Sequence, residues 1–522
     1  MISPHRPLVA LALLLAACQG AAPGSAPAGS PEPTRQPNIL FVFSDDHAPA
    51  ALGAYGSRIN ATPGLDRLAA GGMTFDAALV TNSICAPSRA VILSGKHSPM
   101  NGVRDNGAVF DGAQVTFPKL LREAGYTTAM IGKWHLKSDP TGFDHWEVLP
   151  GQGHYYNPDF KNPEGTRRIP GHVTDITTDL AIEWLEETRD PGRPFLLMCQ
   201  HKAPHRSWMP APEDLELFQG ESIPEPATLF DDYATRSDAA REQEMEIDRH
   251  MYFYYDLKVP PTDPEAELQG PDRWTAGAMQ RLDEEQRQRF LAAYAEENAA
   301  FRAAGLEGRE LVSWKYQRYI KNYLRCVAGV DRSVDRLLDW LDRNGLADDT
   351  IVIYASDQGF YLGEHGWYDK RFMYEPSLRM PLLVRWPGVT RPGSRDGHLV
   401  QNLDLAPTFL EAAGVPIPDE MQGHSMAPLL AGETPDGWRE VAYYEYFERG
   451  IHNVAVHRGV RTERHKLIHF HELDQWELFD LETDPEELMN RHGDPALASI
   501  QRRLEEELTR LQALYGDQGE AR

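Results

Sequence analysis

An α/β fold is predicted: a large domain with a mainly parallel central sheet flanked by helices, followed by a smaller C-terminal antiparallel sheet-and-helix subdomain. Three observations predict it. Four short apolar runs, residues 38–43, 127–131, 195–199 and 350–354, read as strands buried on both faces. Helical patterns separate them, and that alternation builds a parallel sheet with helices on both sides. Past Trp438 the pattern turns to period two, which marks antiparallel strands.

In chain order, residues 1–17 read as a lipoprotein signal peptide. Arg6 gives a positive start, and residues 8–17 are an apolar run too short to cross a membrane as a helix. The run ends Leu15-Ala16-Ala17-Cys18, which resembles the bacterial lipobox, where the Cys is lipidated. An exported periplasmic or cell-surface lipoprotein is expected, touching the membrane only through the anchor at Cys18; plain secretion is the other reading. Residues 18–36 form a flexible Pro/Ala/Gly/Ser tether. The main domain then covers 37–437, with an acidic, Pro-punctuated insertion at about 211–312. The insertion's Met251-Tyr252-Phe253-Tyr254-Tyr255 run either lines a cleft or packs the insertion onto the domain. Tyr316, Tyr319, Ile320, Tyr323, Leu324, Val327, Val334, Leu337, Leu338 and Leu341 make the clearest helical stripe, stopped by Gly345. The C-terminal subdomain, 438–522, carries strand patterns at 440–447, 455–460, 466–470 and 476–480, then a helix over 495–514.

With 52 basic against 78 acidic residues, the 522-residue chain has a net charge of −26. No basic stripe interrupts that field, so nucleic acid is excluded as a partner. An anionic substrate would need a local positive pocket. Of the cysteines beyond Cys18, Cys199 and Cys326 fall on apolar faces and read as inert buried thiols, although a disulfide between them stays open. Cys85 has a different setting, and an unpaired Cys in an exported protein needs a reason.

Each predicted strand is followed at once by residues able to do chemistry. These are Asp45 and Asp46, then Lys133 and His135, then His201 and His205, then Asp357 and Gln358. Sites in parallel sheets form beyond the carboxyl ends of the strands, so the four pairs point to one site on one sheet edge. His201 is read as a hydrogen-bonded structural residue and left out.

Two long motifs carry a family resemblance. Cys85-Ala86-Pro87-Ser88-Arg89, continued by Leu93-Ser94-Gly95, resembles the sulfatase signature, and Gly125-Tyr126-Thr127-Thr128-Ala129-Met130-Ile131-Gly132-Lys133-Trp134-His135 resembles the second one. Asn38-Ile39-Leu40 leading to Asp45-Asp46, and Asp357-Gln358-Gly359 with Lys370 downstream, are similar to the family's opening and late segments. The resemblance spans roughly residues 37–490, in family order. It implies an alkaline-phosphatase-like catalytic domain and a sulfuric ester hydrolase. Cys85 would be converted to formylglycine by a maturation enzyme, and the hydrated aldehyde would be the nucleophile. One calcium ion is implied on Asp45, Asp46, Asp357 and Gln358, with modified Cys85 and a substrate oxygen completing its shell. Carboxylate and amide oxygens are the hard donors that suit calcium rather than zinc. Many members carry Asn where this chain has Gln358; the amide oxygen is kept, one methylene further out.

The remaining roles follow from the same resemblance and from the charge of the substrate. A sulfate monoester repels nucleophiles, so its oxygens must be neutralised. Arg89 would steady the nucleophile, Lys133 and Lys370 would hold the sulfate, and His135 would orient the formylglycine hydroxyl and take its proton. His205 or Lys370 would protonate the leaving oxygen. Pro87 suits the first turn of a helix, whose free N–H groups favour an anion. The segment 363–375 and the Trp476-Glu477-Leu478-Phe479-Asp480 run look like bacterial carbohydrate sulfatases of the N-acetylglucosamine-6-sulfatase-like kind, so a sulfated carbohydrate, and glucosamine 6-O-sulfate among them, is the expected substrate. Two alternatives are a phosphodiester or phosphonate monoester hydrolase of the same superfamily and a non-catalytic glycan-binding surface lipoprotein.

Overall fold

The computed structural model describes residues 36–517 except residue 264. The expected leader, the Cys18 anchor and the tether up to residue 35 fall outside the described residues. One sheet contains ten strands: β1 (Asn38–Ser44), β2 (Met73–Phe75), β3 (Thr127–Lys133), β4 (His145–Leu149), β5 (Asp159–Asn162), β6 (Gly165–Arg168), β7 (Phe195–Gln200), β8 (Thr350–Ser356), β9 (Leu382–Arg385) and β10 (Ser394–Asp396). Their order is β10-β2-β9-β8-β1-β7-β3-β4-β5-β6. The four predicted strands are the adjacent parallel quartet β8-β1-β7-β3. All their residues are buried, as continuous apolar runs require.

Register brings the carboxyl ends level. Ser44 pairs with Ser356, Phe43 with Gln200, and Gln200 with Gly132. The period of two sends Ile39, Phe41 and Phe43 into one core and Leu40 and Val42 into the other. The first core takes Ala90 and Ile92 from the helix Cys85–Ser94 and Phe409 from the helix Leu405–Ala412. The second takes Tyr319, Tyr323, Val327 and Leu338 from the helix Gly308–Arg343. That helix starts before the predicted stripe, because Val312 and Lys315 already continue its buried face. Residues 308–312, expected at the end of the insertion, are therefore its first turn. Left-handed Gly345 follows its end.

The C-terminal sheet runs β11 (Ala442–Tyr446), β12 (His457–Arg461), β13 (His465–Phe470) and β14 (Gln475–Asp480), all antiparallel. One face holds Tyr443, Val460, Leu467 and Leu478 against Leu504, Leu508 and Leu511 of the helix Ala498–Leu514. The other contributes Tyr444, Tyr446, Ile468 and Phe470 to the main core. The predicted α/β architecture is the one observed. Cys85, Cys199 and Cys326 are free and buried, so the disulfide left open above is not formed. Among the described residues no helix is long and apolar enough to cross a membrane.

Gly132 sits at φ 104° just before Lys133, and a Cβ there would overlap the carbonyl oxygen of Gln200 on β7. Both the dihedral and the overlap oppose any side chain. Gly132→Ala is expected to cost roughly 3 kcal/mol, read as a lower denaturant midpoint than that of the unaltered chain.

Candidate active site

The four level strand ends deliver their side chains to one buried cluster. Asp45 and Asp46 follow β1, Asp357 and Gln358 follow β8, Lys133 ends β3, and the segment from His201 to His205 follows β7. All of Asp45, Asp46, Lys133, Asp357 and Gln358 are fully buried. Cys85 opens the helix Cys85–Ser94 and is 1% exposed. One turn along, Arg89 donates to Asp357 Oδ2 from Nε (3.2 Å) and Nη2 (3.1 Å), and from Nη1 to the Lys133 carbonyl and Gln200 Oε1 (both 2.7 Å). Lys133 pairs with Asp45 and donates to Gln152 Oε1 at 2.5 Å. Lys370 Nζ lies 2.5 Å from Asp46 Oδ1 and 3.6 Å from the Cys85 sulfur. His205 Nε2 is 3.8 Å from Asp46 Oδ2.

His135 sits in the left-handed region at φ 58°, and its Nδ1 is buried without a hydrogen-bond partner. His201 stays apart from the cluster. Its ring bonds Ser333 Oγ at 2.8 Å and its N–H the Phe43 carbonyl at 2.7 Å, tying β7 to the long helix.

Electrostatics at the cluster are those of charges out of water. Burial, with Asp45 adding to it, raises the Asp357 carboxyl well above the usual range. Burial likewise pushes Asp46 up to about 6 against the pull of Lys370. For Asp45 burial acts upward too, but the charge of Lys133 foremost, with Arg89, holds it well below the usual range. Burial and then Lys133 drop His135 and His205 far below the usual imidazole range, so both rings are neutral proton acceptors. Burial, then Asp45, pushes the Cys85 thiol up, so the unmodified side chain is a protonated thiol and a poor nucleophile.

Carboxylate oxygens of Asp45, Asp46 and Asp357 all lie within 4.8 Å of one another. Asp45 Oδ1, Asp46 Oδ2 and Gln358 Oε1 are buried with no hydrogen-bond partner. The Gln358 amide nitrogen donates to Asp46, which leaves its oxygen uncommitted. Converging orphaned oxygens of this kind fit a hard divalent cation. With all three carboxyls ionised, as a bound cation favours, they balance the charges of Arg89, Lys133 and Lys370, so a divalent cation leaves the site net positive and receptive to an anion.

Some contacts have no counterpart in the sequence reading. Asn106 Oδ1 accepts from the Ala86 N–H at 3.0 Å, beside Cys85, and its own N–H reaches Glu448 Oε1 at 3.2 Å. Glu448 pairs with Arg371, and Asp369 with His452 at 2.9 Å. Asp369 and Arg371 flank Lys370, and that adjacency was the available signal; Asn106, Glu448 and His452 sit in segments without a pattern.

A parallel sheet with a buried, metal-competent acidic cluster at its strand ends, faced by lysines and an arginine, defines a hydrolase of anionic esters in the alkaline-phosphatase-like class. The sulfatase family profile matches residues 37–415, and that of the N-sulphoglucosamine sulphohydrolase C-terminal region matches 363–514. The N-acetylglucosamine-6-O-sulfatase of Bacteroides thetaiotaomicron is 46% identical over 98% of this chain and 90% of its own. Human N-acetylglucosamine-6-sulfatase is 27% identical over 85% of this chain and 73% of its own. A solved structure in complex with its substrate D-glucosamine-2-N,6-O-disulfate superposes with a TM-score of 0.89 at 45% identity, covering 93% of this chain and 99% of that one. The chain belongs to the sulfatase family and is a sulfuric ester hydrolase.

A hard divalent cation is expected to raise the melting temperature by several degrees and a chelator to reverse the rise, because an ion held by the folded cluster stabilises it by mass action. Asp45→Asn should remove the response, as read by thermal melts with and without the ion.

Proposed function

We propose that the enzyme removes the 6-O-sulfate of glucosamine residues in sulfated carbohydrate. Formylglycine made from Cys85 and one calcium ion on Asp45, Asp46, Asp357 and Gln358 complete its site. The observation that carries this reading is the position of Cys85. It opens a helix, 3.6 Å from the Lys370 ammonium and inside the ring of carboxylates and cations. Two findings support the substrate: the relative that is 46% identical is named for N-acetylglucosamine 6-O-sulfate, and the superposed complex holds a 6-O-sulfated glucosamine. Calcium is supported by the all-oxygen donor set.

In place, the hydrated formylglycine would supply a hydroxyl nucleophile, and a calcium ion held by Asp45, Asp46, Asp357 and Gln358 would supply Lewis-acid stabilisation of the sulfate oxygens. Around them the protein's own groups divide the work. Lys133 and Lys370 hold sulfate oxygens, and Arg89 fixes the first turn of the Cys85 helix against Asp357. Neutral His135, held by the left-handed turn after β3, accepts the hydroxyl proton. Burial opposes the charge of Lys370, but the neighbouring Asp46 carboxylate keeps its ammonium well above its ordinary pKa, so it carries a proton for the leaving oxygen. His205 stands 3.8 Å from Asp46 and orients that oxygen. Export as a lipoprotein anchored at Cys18 belongs to the same proposal, since surface placement gives access to extracellular glycans.

Sulfate release from N-acetylglucosamine 6-sulfate, by protein co-expressed with a formylglycine-generating enzyme, tests the reading. Cys85→Ala should lower turnover by roughly a thousandfold or more, since loss of a nucleophile removes a whole catalytic route. The tryptic peptide holding Cys85 should be lighter by the exchange of a sulfur and two hydrogens for one oxygen. Release from galactose or uronate sulfates alone would refute the glucosamine assignment.

A further inference from the structure

Three cations of the site each have a carboxylate of their own. Arg89 has Asp357, Lys133 has Asp45 and Lys370 has Asp46. Lys202, directly after His201 at the end of β7, has none. The residue is 4% exposed, and among the described residues its ammonium makes no hydrogen bond or ion pair. Its contact is the face of the Tyr155 ring, 4.9 Å from the centroid.

The segment is pinned beside the reaction centre. The Ala203 carbonyl accepts from the Asp45 N–H at 3.2 Å, and the Lys202 carbonyl accepts from the His205 N–H at 3.1 Å. Tyr155 Oη donates to the His205 carbonyl at 2.6 Å, which locks the ring under the ammonium. The charges of Lys133, Asp45 and Asp46 act on Lys202. Burial first, and then Lys133, bring it down to about 8, so it is still cationic at neutral pH. A buried cation without a counter-ion is costly, and an entering anion offsets that cost. A face-on aromatic ring stabilises a cation only partly and leaves its N–H donors unspent.

We propose that Lys202 is a further substrate-binding residue, whose ammonium holds an oxygen of a sulfate group on the sugar. The proposal rests on the sulfatase reading. The sulfate is either the 6-O-sulfate being removed or a 2-N-sulfate beside it, and the chemistry of recognition is the same.

Steady-state sulfate release by the wild type, Lys202→Gln and Lys202→Arg is compared on N-acetylglucosamine 6-sulfate and on glucosamine 2-N,6-O-disulfate. Wild-type turnover checks the sulfatase reading independently. Lys202→Gln is expected to raise KM about tenfold or more with a much smaller change in kcat, as loss of a charge-assisted hydrogen bond implies. Lys202→Arg should recover most of it. A rise on both sugars assigns the contact to the 6-O-sulfate, and a rise on the disulfated sugar alone assigns it to the 2-N-sulfate. KM within twofold of wild type on both sugars, in variant protein with Cys85 converted, overturns the proposal. Should Lys202→Gln not fold, reductive methylation of the wild type decides. Lys202 protected by the disulfated sugar supports the assignment, and equal modification with and without the sugar overturns it.

Discussion

Three buried carboxylates held against three buried cations are the constraint to which the strand ends, the Cys85 helix and the loop after β8 all answer. An isolated buried charge is costly enough to unfold or neutralise itself, so each partner is obligatory. β1 and β8 are neighbours in register, Ser44 beside Ser356, which forces Asp45, Asp46 and Asp357 together. Arg89 answers Asp357 because its helix, Cys85–Ser94, begins over the edge of the sheet. Lys133 lies two strands away on β3 and reaches Asp45 across β7. Its long side chain makes that span feasible.

The backbone around this cluster is held in conformations that side chains resist. Asp46, His135, Asp369 and Arg371 all have positive φ, at 70°, 58°, 73° and 101°. Each such residue costs on the order of 1–3 kcal/mol and persists only where its surroundings over-determine it. Asp46 shows how. Its N–H donates to Asp357 Oδ1 at 3.0 Å, and its carbonyl accepts from Tyr323 Oη at 2.8 Å. Tyr323 belongs to the long helix packed on the sheet, so apolar packing on that face stabilises a turn that aims two carboxylates.

The part of the site legible in the sequence was the part written as strand followed by polar pair. Apolar runs announce buried parallel strands, and topology then puts whatever follows them on one edge. Residues that reach the site from loops leave no such trace. Asn106 and Glu448 are separated by 342 positions and meet only because β11 and the chain after it dock on the main core. The aromatics of the insertion were undecidable for a similar reason. In the fold, Phe253 faces Phe301 at 5.7 Å, while Tyr255 and Tyr368 sandwich Arg206 at 5.1 and 4.8 Å, with Asp256 bonding its guanidinium. They pack the insertion, and through Arg206 they brace the residue next to His205. His201 was separable from His205 because a His at a strand end has a ready structural use, here Ser333.

The acidity of the chain and the anionic substrate are reconciled by distance. Diffuse surface charge is screened over about 8–10 Å at physiological salt, whereas cations in contact with a bound sulfate act at about 4 Å through low-dielectric surroundings, worth several kcal/mol each before desolvation. The few cations at the strand ends therefore outweigh the net −26 once the anion is seated. Cys85 is 1% exposed and Lys370 3% exposed, so a sulfate that reaches them has left bulk water, and there the nearby cations are not screened by salt as the surface charges are.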